Sequence, residues 1–395
     1  MRTIDIKFEL QFKYAVHFVS DIFSPSESLL ASVVAGCRSS RRLAFVVDDG
    51  VARHHPNLLG NIEQYCRHHA LDLPVPPVVV PGGETVKNNQ SYWEEIHNLI
   101  DRARLCRQSC LVVVGGGAVL DAAGFAAGTA HRGIRLVRVP TTVLSQNDSG
   151  VGVKNGINFF GQKNYLGMFA PPFAVINDEL FLHTLEDRDW RSGIAEAIKV
   201  ALVKDPAFFD FLEREEEAIR NRDMASAGEM IFRCAQLHLE HIAGNGDPFE
   251  RGASRPLDFG HWAAHKLESL SQNRLRHGEA VAIGIALDST YSHLAGFLND
   301  EDWRRIMDLI VRMGLPAFTH ELLDERLLDG LEDFRVHLGG ALTIMLLQGI
   351  GRGIEVGHID FGLMKTAIRM LQESYAAERY VSGPKTPNAH LQTQF

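Results

Sequence analysis

The sequence predicts an α/β protein in two parts: an open-sheet domain over residues 1–180 and an all-helical domain over residues 181–381, with a polar, proline-bearing and mobile tail from Ser382 (382–395). Three observations carry this. Four short apolar runs, 43–48, 75–80, 111–114 and 134–139, have the length and branching of buried parallel strands and are separated by helical patterns. The third run meets three consecutive glycines, and a helical pattern resumes at Ala118. From Leu185 to Met370 the helical period persists.

At 395 residues, 45% hydrophobic and 23% charged, the chain is long enough for two cores. A net charge of −9 with scattered basic residues points away from nucleic acid, while leaving room for a local basic pocket around an anionic substrate. No run of about 18 apolar residues is present to span a bilayer. The five cysteines (Cys37, Cys66, Cys106, Cys110, Cys234) follow no framework spacing, and their odd number suits a reducing compartment. Cys106 and Cys110 read as packing residues on a helix. A cytoplasmic protein with neither membrane nor nucleic-acid partner is expected.

In chain order, residues 3–19 alternate apolar and polar with the period of a pair of antiparallel strands. Leu43–Pro56 is a buried strand ending on acidic residues; Asp48 there can hold a ribose hydroxyl in a dinucleotide-binding sheet or cap the following helix. Val75–Asn88 is a strand, a Pro-Gly-Gly turn and a helix start, where Glu84 favours the helix dipole and Lys87 follows. Gly115, Gly116 and Gly117 leave no side chain between the main chain and a ligand. The helix behind them offers unpaired N–H groups, an arrangement that suits a pyrophosphate or tight packing. After the strand at 134–139, Asp148, Lys154, Lys163 and Asn164 lie in a segment too glycine-rich for a good helix, placed like ligand-binding groups at a sheet edge. Glu196 and Lys199, three apart, share one helix face, which alone suits a surface ion pair. His261 and His265, four apart, share another, and His277 starts the next helix. Glu196, His261 and His277 would make the two-histidine, one-carboxylate set that catalytic zinc uses. His238, Glu240 and His241 imitate such a site by spacing and rank lower.

The order GGG-x3-D (Gly115 to Asp121), Arg132-Gly133, Pro140-Thr141-Thr142, D-x5-K (Asp148, Lys154) and Lys163-Asn164 resembles the dehydroquinate synthase family, more broadly the sugar phosphate cyclases. G-x-A-E-x-x-K at Glu196, F-G-H-x3-H at His261 and H-G-E at His277 extend the resemblance over most of the chain. It implies a Rossmann-like first domain binding NAD through Asp48, Glu84, Lys87, Gly115, Gly116, Gly117, Asp121, Thr141, Thr142, Lys163 and Thr184. It implies a divalent metal, zinc with cobalt as the alternative, on Glu196, His261 and His277. Lys154, Asn164, His265 and, across a homodimer, Arg132 of the partner subunit would hold the phosphate of a sugar phosphate. Asp148, Glu196 and Lys199 would surround the reacting hydroxyls. The implied chemistry is oxidation of an alcohol by NAD, loss of phosphate, return of the hydride, and ring opening with aldol closure of a carbocycle.

This chain departs from the family pattern at several points. Asp258 stands for the asparagine of R-x2-N-F-G-H after Arg255, and His241 for a lysine fourteen residues before that arginine. FRVHLGG replaces a D-K-K segment, with Arg335 as the nearby cation, and Gly50 replaces the asparagine of D-x-N. These mark a separate branch, similar to the synthase-like protein of ebo gene clusters. Because Arg255 can fork onto a carboxylate, a heptulosonate 7-phosphate is the favoured substrate, with sedoheptulose 7-phosphate next and a metal-dependent polyol dehydrogenase as the other reading.

Overall fold

The computed structural model describes residues 2–36, 41–244, 248–249, 252, 255–272 and 274–382. Cys37 and the tail beyond Ser382 lie outside the described residues. The chain divides into two compact units, Met1–Gly193 with Ala235–Phe249, and Ile194–Cys234 with Glu250–Phe395.

The first unit is built on strands β1 (Val16–Val19), β2 (Leu43–Asp48), β3 (Val78–Val80), β4 (Cys110–Gly115), β5 (Arg135–Pro140), β6 (Lys154–Phe159), β7 (Gln162–Phe169) and β8 (Ala174–Asp178). Six form an all-parallel sheet in the order β1-β8-β5-β4-β2-β3. Alternation along each strand feeds both faces: Leu43, Phe45 and Val47 join one apolar cluster with Leu30, Ile62 and Tyr65, while Ala44 and Val46 join another with Ile96, Leu99 and Val119. Helices therefore cover both faces, which is why the strands read as continuous apolar runs. Chain order reverses at β2, whose neighbours are β3 and β4, so the crevice beyond the carboxyl ends of β2 and β4 is the switch point where such sheets take ligands.

In the second unit the helix His277–Leu294 is buried along almost its whole length. The helix His261–Leu270 packs on it through glycine: a Cβ on Gly284 would stand 2.0 Å from the Gly260 carbonyl oxygen, and Gly260 has φ +76°. Any side chain at Gly284 would push His261 away from the helix beside it.

Four local expectations change. Residues 2–15 form no strand, and β1 pairs in parallel with β8 instead of in a hairpin, because its partner edge is the sheet. Cys110 opens β4, and Cys106 lies in the preceding turn, so neither is on a helix. The glycine-rich segment holds an antiparallel hairpin, β6 with β7, after the turn Ser145–Ser149; Gly161 at φ +72° makes the reversal. The helical domain carries its own hairpin, β9 (Ile344–Gly349) with β10 (Arg352–Val356), whose reversal holds Gly351 at φ +76°.

Candidate active site and cofactor turn

In the first unit, the carboxyl ends of the parallel strands place several candidates on one edge. Asp48 ends β2, is buried, and accepts from the Gly50 amide at 2.8 Å, so it also caps the short helix Asp49–His54. Burial pushes its carboxyl up, against hydrogen bonds from Gly50 and Gly116. Gly115 ends β4 against it: a Cβ there would meet the Asp48 Cβ at 3.1 Å and the Val119 Cβ at 3.0 Å. At Gly116, by contrast, an added Cβ would touch only the Thr142 methyl, at 3.5 Å. Gly116 is the N-cap of the helix Gly117–Thr129 and gives it no side-chain cap, so the first N–H groups of that helix remain available to an anion.

Beside this turn, buried Lys87 reaches Asp121 Oδ2 at 2.9 Å and also donates to the Asn164 side chain. Glu84 accepts from Asn158 at 2.8 Å and lies 3.8 Å from Lys163. Thr141 is buried, and the Thr142 hydroxyl bonds Ser145 Oγ at 2.8 Å. Thr184, following β8, bonds His55 Nε2 at 2.9 Å. Asp148 meets His238 Nδ1 at 2.7 Å, which draws His238 away from the competing metal cluster; Glu240 accepts from Gln236 instead. Lys154 opens β6, exposed. Arg132 precedes β5, at the opposite edge of the sheet from Asp48 and the glycines, so it is not gathered with them within this chain.

Fully buried Arg138, on β5, was not singled out in the sequence. It donates to the carbonyls of Gly150, Gly152 and Lys154 at 3.0, 2.9 and 2.8 Å and to Asn155 Oδ1 at 2.7 Å. Its signal is a second cation in the interior of a strand that Arg135 opens and that is otherwise apolar.

In the second unit, Glu196, His261 and His277 come together, each offering a ligand atom within 4.8 Å of the others; among the described residues no other such group occurs. Glu196 Oε1 lies 3.7 Å from His261 Nε2 and 3.3 Å from His277 Nε2, and Lys199 Nζ lies 2.5 Å from Glu196 Oε2. Glu196 and Lys199 are buried, so this is no surface ion pair. The rings of His261 and His265 are 5.6 Å apart, and those of His265 and His277 6.2 Å. Burial, helped by His261 and His277, pushes His265 down to about 3, so it is neutral near pH 7. For His277 burial works the other way from its result: Glu268 and Glu196 outweigh it and lift the imidazole to about 10. Asp258, in the turn Pro256–Asp258, adds negative charge felt by His261 and His265, and Arg255 precedes that turn. One carboxylate and two imidazoles, Glu196, His261 and His277, thus converge, a donor set that fits a divalent cation.

Two carboxylates escaped sequence reasoning. Glu268, on the His265 helix, stands 3.5 Å from His277 Nδ1. Fully buried Asp288 accepts from the Gly260 amide at 3.1 Å and the Trp262 indole at 2.9 Å, fixing the chain on both sides of His261. Burial lifts Asp288 to about 7 from 3.8, against those two bonds. A folded pKa above the unfolded value contributes stability that is full below about 4 and lost as pH rises through 7. Melting temperature should therefore fall more steeply between about pH 4 and 7, by this contribution, in the natural protein than in Asp288→Asn. Parallel profiles for the two would refute the assignment.

Comparisons with known proteins agree with this geometry. Residues 77–192 match the 3-dehydroquinate synthase N-terminal family, and residues 193–333 its C-terminal family. The chain is 39% identical over 280 residues to the 3-dehydroquinate synthase of Nitrosospira multiformis, covering 70% of this chain and 75% of that one. It is 33% identical over 373 residues to the 2-epi-5-epi-valiolone synthase of an Actinoplanes species, covering 92% of each. A solved 2-epi-5-epi-valiolone synthase from Streptomyces hygroscopicus subsp. jinggangensis, with NAD+ and Zn2+ bound, superposes with a TM-score of 0.85 at 28% identity, covering 94% of this chain and 100% of that one. The sheet with its glycine turn, the carboxylate-imidazole cluster and these matches make the chain a member of the 3-dehydroquinate synthase family of sugar phosphate cyclases.

Proposed function

We propose that this cyclase acts on a seven-carbon ketose phosphate, eliminating phosphate and closing the carbon chain to a cyclitol, a carbon-oxygen lyase reaction of the 3-dehydroquinate synthase type. The observation that carries the reading is the buried Glu196–His261–His277 cluster with Lys199 at 2.5 Å from Glu196. Those three residues would hold zinc or cobalt. NAD would lie on the Gly115–Gly117 turn with Asp48, Glu84, Lys87, Asp121, Thr141, Thr142, Lys163 and Thr184 as its partners. Bound NAD supplies reversible hydride transfer and the cation supplies Lewis-acid polarisation.

The chain's own residues then have separable tasks. Lys199 offsets the charge of Glu196, so that the buried carboxylate costs less. His265, neutral near pH 7, suits a proton acceptor or hydrogen-bond donor better than a cationic phosphate clamp. Lys154 and Asn164 are the phosphate partners on this chain, and Arg132 serves from the partner subunit of a homodimer. Asp148, oriented by His238, is assigned to the reacting hydroxyls.

Arg255 favours a heptulosonate, whose carboxylate a guanidinium can hold in two parallel bonds. Asp258 beside it favours the second reading, uncharged sedoheptulose 7-phosphate, which the Actinoplanes relative's name also supports. Inorganic phosphate released from the two substrates, by the natural protein and by Arg255→Ala, is the test. Phosphate should appear from the heptulosonate without accumulation of NADH, and Arg255→Ala should lose the preference. Accumulating NADH without phosphate would make the protein a polyol dehydrogenase, and turnover of the uncharged sugar alone would make it valiolone-type.

A further inference from the structure

The two helices that carry the imidazoles each bring a buried carboxylate directed at the other helix. His261 and Glu268 are seven residues apart on one, and His277 and Asp288 eleven apart on the next, about two and three turns, so each pair shares a face. Those faces are pressed together where Gly284 meets Gly260. Across the contact, Asp288 accepts from the Gly260 amide and the Trp262 indole, on both sides of His261. In the opposite direction, Glu268 Oε1 stands 3.5 Å from His277 Nδ1. Each helix thus supplies one imidazole and one carboxylate that braces the imidazole of its neighbour.

Nothing local to its helix favours a carboxylate at Glu268. The residue is 4% exposed, so its charge is costly to bury, and it lies in the last turn of its helix, where the dipole disfavours an acid. A partner that accounts for it is His277, whose ring is faced at both nitrogens: Nδ1 by Glu268, and Nε2, at 3.3 Å, by Glu196 Oε1. An imidazole whose Nδ1–H points at a carboxylate keeps that proton there, and Nε2 is the nitrogen left for a cation. We propose that Glu268 is a positioning residue of the metal centre, holding the His277 ring through Nδ1 so that Nε2 stays turned toward Glu196. The inference rests on the metal centre of the proposed function and adds to it a residue outside the three ligands.

Zinc affinity, measured by competition with a chelator, tests the role without the reaction. Glu268→Met, close in volume but without an acceptor, should bind zinc roughly 10–100-fold more weakly than the natural protein. Glu268→Gln, whose amide oxygen still accepts from Nδ1–H, should stay within about threefold. Glu268→Ala replaces the Met variant if that one does not fold. Loaded with cobalt, the Met or Ala variant should also show a shifted visible spectrum, because the ligand field follows the direction of the ring. A merely structural Glu268 would lower the melting temperature of the metal-free protein and leave affinity and spectrum as they were. A folded Met or Ala variant with natural affinity therefore overturns the inference, as does a Gln variant that loses as much as Met. A natural protein that binds neither zinc nor cobalt would remove the metal centre itself, and this role with it.

Discussion

Replacing His261 by alanine is expected to empty the carboxylate-imidazole cluster of bound metal and to lower turnover by roughly 10²–10³-fold or more, the scale of losing electrostatic stabilisation at a developing charge. His261 is buried, its Nδ1 lies 3.2 Å from the Phe259 carbonyl, and its Nε2 faces Glu196. Its neighbours Gly260 and Trp262 are bonded to Asp288, so the ring has little freedom to be replaced by another donor swinging in. Metal content by elemental analysis, together with a melting curve to show that the variant folds, decides the matter. A folded variant with its full complement of metal would move the centre elsewhere.

Gly116→Val should weaken NAD binding roughly 5–150-fold while leaving the fold intact. The backbone at Gly116, φ −73° and ψ 172°, is open to any residue, and an added Cβ meets only the Thr142 methyl. The protein therefore accommodates the side chain, and the ligand approaching the helix N-terminus meets it. Overpacking of about 1–3 kcal/mol corresponds to roughly 5–150-fold weaker binding. Gly115→Ala is the instructive contrast, because its Cβ would press on Val119 and Asp48 and lower stability whether or not NAD is present. Calorimetric titration with NAD separates them. Unchanged affinity in Gly116→Val would remove the pyrophosphate from this turn.

What could be read in advance follows from how locally each feature is encoded. The strands at β2, β4 and β5 were legible because burial on both faces writes mostly apolar, branched residues along them. The metal cluster was legible because Glu196, His261 and His277 each sit inside a short motif. Glu268 and Asp288 were not, since each meets its target across helices and no spacing announces the meeting. His238 was visible but was weighed as a metal ligand; only the fold brings Asp148 to it. The first residues show the limit of periodicity itself. They alternate as a strand would, yet none forms there among the described residues.

Arg138 has a consequence for how this enzyme can change. It grips the segment from Gly150 to Asn155 by three main-chain carbonyls and the Asn155 side-chain oxygen, and the buried Val151, Val153 and Asn155 side chains anchor the same stretch. Exposed Lys154 can be exchanged while the main chain beneath it, held through its own carbonyl, keeps its course. A change at Arg138, by contrast, would take the donor from three carbonyls of the stretch at once.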